Sequence, residues 1–124
     1  CPDLILSEHS TWKRIYLHRM KHSEICIAST GLHQSSGWKI AEYLAAGRAI
    51  VSEPLCYEVP GPFQAGENYL TYTSADGCIE QIRTLLAHPE QILQMGQRNR
   101  AYYDTWLRPD QIVTKALEQA KILL

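Results

Sequence analysis

Apolar and polar positions along this chain change period several times, from helix-like to strand-like and back. Over residues 11–22, Trp12, Ile15, Tyr16 and Met20 fall on one side, while Lys13, Arg14, His18, Lys21 and His22 fall on the other. That spacing predicts a helix of about three turns with Ser10 as its cap. Ile25-Cys26-Ile27-Ala28, bounded by Ser23-Glu24 and Ser29-Thr30-Gly31, predicts a short strand. A polar loop then leads into an alanine-rich helix from Gly37, with Ile40 and Leu44 on its apolar side and Gly47 placed to end it in a left-handed turn. Arg48-Ala49-Ile50-Val51-Ser52 reads as a buried strand and Tyr69-Leu70-Thr71-Tyr72 as another. From Asp76 onward, Cys78, Ile79, Ile82, Leu85 and Leu86 keep the helical period. Pro89 and Pro109 suit the first positions of two further helices, over about 90–106 and 110–123. The apolar run at residues 3–7 reads as a strand or a linker remnant.

Strands alternating with helices imply parallel pairing through right-handed crossovers, here at least three strands followed by a helical tail. The expected fold class is therefore α/β, a three-layer Rossmann-like sheet. With 124 residues, of which 45% are hydrophobic and 20% charged, the chain is long enough for one domain with a real core. A net charge of −1 carries no electrostatic footprint for nucleic acid. Cys1, Cys26, Cys56 and Cys78 form no C-x-x-C pair, so they read as reduced thiols in a cytoplasmic protein rather than as a zinc site. His18 and His22 have helical metal spacing but lack further ligands. The basic side of the first helix reads as a solvated face, with weak membrane-surface association of a longer parent as a secondary expectation. Because it opens on Cys1, the chain is expected to be a piece cut from something longer.

Candidate chemistry gathers where the sheet's carboxyl ends should lie, since ligands of open α/β sheets bind there. The loops after Ala28 and Ser52 share that edge. Ser35 and Ser36 can cap the helix that starts at Gly37, and a loop feeding a helix amino terminus offers free N–H groups to an anion. Lys39 and Glu42 share a helix face and can pair with each other. Gly31 and Gly37 serve as turn residues or as points of close ligand approach. Trp38 reads first as a packing residue and second as a stacking surface for a base. His33 reads first as a solvated loop side chain and second as a contact to a sugar or phosphate, and Glu53 and Glu58 read first as solvated and second as reaching the cleft. Tyr102, Tyr103 and Trp106 read first as core or interdomain packing residues and second as a stacking platform for a base. The long connection over residues 53–68 has Pro54, Pro60, Gly61, Pro62 and Gly66, the composition of a functional or irregularly packed loop.

Three segments in order carry a family resemblance: Ala41-Glu42-Tyr43-Leu44-Ala45-Ala46-Gly47-Arg48-Ala49-Ile50-Val51, Gly66-Glu67-Asn68-Tyr69-Leu70, and the Leu85-Leu86 helix followed by Pro89-Glu90. Together they resemble the C-terminal, nucleotide-sugar-binding domain of GT-B glycosyltransferases, most closely the group 1 families, over roughly residues 12–120. The resemblance implies the C-terminal half of a GT-B fold with a nucleotide at the carboxyl edge. It implies that Glu42 accepts from the ribose hydroxyls, work suited to an acceptor-only carboxylate. It further implies that the loop from Gly31 to Gly37, through His33, Gln34, Ser35 and Ser36, lies near the diphosphate or sugar with Lys39 as the local cation. Gln34 stands where many members carry a second glutamate, so no negative charge is available there. The implied donor is a UDP- or GDP-sugar. No cofactor, no metal and no catalytic side chain within this stretch is implied. The implied partner is an N-terminal acceptor-binding domain, without which the isolated chain is expected to transfer no sugar. Two other readings stay open: a degenerate transferase lobe kept as a scaffold, and a flavodoxin-like interaction module without catalysis.

Overall fold

The computed structural model describes residues 7–123, so the strand expected near residues 3–6 and the thiol of Cys1 lie outside the described residues. Three strands, β1 (Ile25–Ala28), β2 (Ala49–Ser52) and β3 (Leu70–Thr71), pair in parallel in the order β1-β2-β3. Cys26 lies opposite Ile50, Ala28 opposite Ser52, and Val51 opposite Leu70. Five helices surround them among the described residues: α1 (Lys13–His22), α2 (Gly37–Ala45), α3 (Ala75–Ala87), α4 (Pro89–Tyr102) and α5 (Pro109–Leu123).

The strand pleat sorts the core into two layers. On one face Cys26, Ala28 and Ile50 pack with Met20 of α1 and with Ile40, Tyr43 and Leu44 of α2. On the other, Ala49 and Val51 pack with Leu85 of α3 and Met95 of α4. Every residue of β2 is buried, as the unbroken apolar run of a central strand requires. Leu44, Ile50, Val51 and Leu85 are fully enclosed, each contributing about 1.5–3 kcal/mol by leaving water. Burial also pushes the Cys26 thiol up to about 11, which makes it an inert core group. β1 is one of the two outer strands, and its Ile27 stays exposed because none of the described helices covers it on the α3–α4 side.

α4 links the two layers. It begins beside Ile92 and Met95 in the second core and ends at Tyr102 in the first, passing the amino end of β2. Close approach there depends on two glycines, because a Cβ on Gly96 would lie 2.5 Å from the Gly47 carbonyl oxygen. Gly47 adopts φ 63° and ends α2 with paired bonds, Gly47 N–H to Leu44 O at 3.0 Å and Arg48 N–H to Tyr43 O at 3.0 Å, the left-handed termination expected of it.

Several boundaries differ from the sequence expectation. α1 starts at Lys13, since extended Trp12 separates it from a short 3₁₀ turn over Glu8–Thr11, and the Ser10 hydroxyl bonds Ser7 Oγ instead of capping. α3 begins one residue early because Ser74 Oγ accepts from Gly77 N–H at 3.0 Å. β3 is short because Tyr69 turns into the first core and Tyr72 donates its hydroxyl to Ala28 O at 3.0 Å. α4 stops at Tyr102, and a wider turn over Tyr103–Leu107, closed by Arg108 N–H to Tyr103 O, sets Trp106 against Gly61.

Candidate functional site

Parallel pairing puts the loops after β1 and β2 on one edge with the amino end of α2. The loop after β1 folds on itself: Gly31 N–H donates to Ser35 O at 2.8 Å and Gln34 N–H to Gly31 O at 3.0 Å. His33 and Gln34 both take left-handed backbone, φ 54° and 61°, a conformation that costs a side-chain-bearing residue roughly 1–2 kcal/mol. Gly37 follows with φ 67° and nothing near its missing Cβ. Residues 31–35 are exposed, although the N–H groups of Gly31, Gln34 and Ser35 are taken up by bonds within the loop.

Capping by serine does not occur. Ser36 is the residue before α2, yet its side chain makes no cap bond, and Ser35 is extended and one position too far away. The first N–H groups of α2 therefore keep no side-chain acceptor of that kind, which leaves the helix terminus suited to an anion.

Glu42 pairs with Lys13 rather than Lys39. Lys13 Nζ lies 3.7 Å from Glu42 Oε1, and the Glu42 side chain is 29% exposed. Glu42 faces α1, whose first residue supplies the nearer cation. Tyr16 stands beside the same carboxylate, and its enclosed hydroxyl has no hydrogen bond of ordinary geometry. Burial first, then the neighbouring Glu42, holds the Tyr16 proton well above the usual phenol range. A small apolar hollow of about 140 Å³ adjoins the start of α2, but Ile40, Ala41 and Leu44 line it from the opposite side of the helix and Glu42 does not reach it. The edge thus brings Gly31, His33, Gln34, Ser35, Ser36 and Gly37 together, with Glu42 one to two turns along α2 and paired across to Lys13 of α1.

Other expectations fare differently. Trp38 is 89% exposed, a correction to its reading as a packing residue. Leu32, 83% exposed, stands on the same edge. Glu53, expected to be merely solvated, accepts from Thr30 N–H at 2.6 Å and Thr30 Oγ1 at 2.8 Å. Tyr57, not singled out from the sequence, donates to His33 O at 3.0 Å. Its position in the long proline-rich connection was the available signal. Asn68 of the Gly66-Glu67-Asn68 segment is enclosed and bonded to Asn99, which makes it a fold residue. Tyr102 is buried and Trp106 partly so, as packing residues. His22 Nδ1 lies 2.8 Å from His18 O, so that ring nitrogen already has a backbone partner.

A family model described as glycosyl transferase-like matches residues 6–118. The chain belongs to this glycosyl transferase-like family. The match spans nearly the whole described fold and supports the resemblance to a GT-B C-terminal domain that the motif series carried. No curated protein and no solved structure matches the chain. Among the described residues of this glycosyl transferase-like domain, no helix is long and apolar enough to cross a membrane.

Proposed function

We propose that this chain is the donor-binding half of a glycosyltransferase, holding a UDP- or GDP-sugar at the carboxyl edge of its sheet while a second lobe of the longer protein presents the acceptor. The family match over residues 6–118 is the observation that carries this reading. The exposed loop after β1 and the uncapped start of α2 support it, since free N–H groups and the helix dipole favour a diphosphate. Glu42 accepts from the two ribose hydroxyls, and for that it must exchange Lys13 for the nucleotide. Lys13 then stands beside the diphosphate end, a cation that Lys39 was expected to supply. Transfer depends on positioning the donor and stabilising the departing diphosphate by N–H groups and cations. The isolated chain binds the nucleotide and transfers nothing, because the acceptor lobe is needed.

A scaffold role without transfer is favoured by one observation, the uncharged Gln34 at the position where the GT-B resemblance implies a second glutamate. Calorimetric titration of UDP and GDP into the wild-type chain and Glu42→Ala tests the donor reading. One of the nucleotides binds the wild type, and the substitution weakens it about ten-fold through loss of charge-assisted bonds to ribose. Equal affinity for both proteins contradicts the role of Glu42. Glu42→Ala in the longer protein separates transfer from scaffolding, since a transferase loses rate and a scaffold has none to lose.

A further inference from the structure

The loop after β2 takes hold of the loop after β1 at two points. One Glu53 carboxylate oxygen accepts from both the backbone N–H and the hydroxyl of Thr30, at 2.6 and 2.8 Å. A little further on, the Tyr57 hydroxyl donates to the His33 carbonyl at 3.0 Å. Between those ties lie Gly31 and Leu32, and the left-handed pair His33 and Gln34 stands at the second tie. Strained backbone of this kind persists only where its surroundings over-determine it. Residues 31–35 are exposed, so core packing does not hold them. What remains is the internal turn from Gly31 to Ser35 and the two ties from the facing loop. Both bonds from Thr30 also keep the Glu53 carboxyl below the usual carboxylate range, in keeping with an ionised acceptor.

We propose that Glu53 is a positioning residue for the donor site, with Tyr57 as its second tie, fixing the loop after β1 in its nucleotide-receiving shape before the nucleotide arrives. The role rests on the donor-binding function proposed above. A loop ordered in advance spares the ligand the entropy of ordering it, so affinity falls when the ties are cut even though no ligand contact is removed.

Glu53→Ala, Glu53→Gln and Tyr57→Phe in the full chain test it by three readouts: amide hydrogen exchange at Thr30 and Gln34 without ligand, affinity for UDP and GDP, and melting temperature. In Glu53→Ala both amides exchange about ten-fold faster and nucleotide Kd rises about ten-fold, while the melting temperature barely moves. Glu53→Gln restores most of both effects, because its amide oxygen still accepts from Thr30. Tyr57→Phe, which removes one exposed hydroxyl and leaves the fold intact, shows a smaller loss of the same kind. A Glu53→Ala chain that binds nucleotide as tightly as the wild type overturns the positioning role alone. A wild-type chain that binds neither UDP nor GDP at millimolar concentration overturns the donor reading and this role with it.

Discussion

Asn99 is fully enclosed where α4 passes the amino end of β2, and every bond of its side chain crosses between elements. Its amide donates to Arg48 O at 2.8 Å and Asn68 O at 2.9 Å, and its oxygen accepts from Asn68 Nδ2 at 3.1 Å. Asn68 in turn accepts from Gln64 N–H at 3.1 Å, so one pair of amides fixes α4, the long loop and the start of β2 together. Asn99→Ala strands an enclosed Asn68 amide and two carbonyls, and costs about 3 kcal/mol of stability. Urea unfolding measures it, and a loss below about 0.5 kcal/mol contradicts the network's importance. At this scale the sequence is least informative. Glu42 shares a helix face with Lys39, which periodicity exposes, but its partner Lys13 sits on another helix and is found only by folding. Glu53 and Thr30 are 23 residues apart and likewise meet through the sheet.

Elements were far more legible. An unbroken run of apolar residues in β2, the glycine ending α2 and the prolines opening α4 and α5 each state a local preference that the fold keeps. Where expectation and structure part, as at Trp38, the cause is tertiary: helix periodicity says which face a residue occupies, not whether a neighbour covers it. Gly96 illustrates the same limit. Inside a helix it reads only as a weak helix former, yet it is the point where α4 meets the Gly47 turn. Gly96→Ala gains helix propensity of about 1 kcal/mol but drives a methyl to 2.5 Å from a backbone oxygen that cannot move away. The net change is a destabilisation of about 2 kcal/mol, measured by thermal or urea unfolding, and a stabilised variant contradicts the close packing described.

For the molecule as a whole, acid should loosen the site edge before it unfolds the core. Glu53 is held low by Thr30, and Asp110 is held down at about 2 by paired bonds from Arg108 at 2.7 and 2.6 Å. Both carboxyls have lower pKa values folded than unfolded. Their contributions are therefore complete above the ordinary carboxylate range and are lost as pH falls through the depressed folded values. Between about pH 4.5 and 2, Thr30 loses amide protection and the start of α5 frays, while β2 amides stay protected. Hydrogen exchange across that range checks the order, and simultaneous loss in β2 and at Thr30 contradicts it.

On the donor-binding proposal, a nucleoside diphosphate docks on the edge formed by the β1–α2 loop and the start of α2, with its ribose at Glu42. Amide chemical-shift mapping of the ¹⁵N-labelled chain during titration with UDP and GDP tests it most directly. Saturable shifts are expected to concentrate at Gly31, His33, Gln34, Ser36, Gly37 and Glu42, with Lys13 moving as its ion pair opens. Shifts confined to the far edge around Gly47 and Arg48, or none at millimolar nucleotide, contradict it.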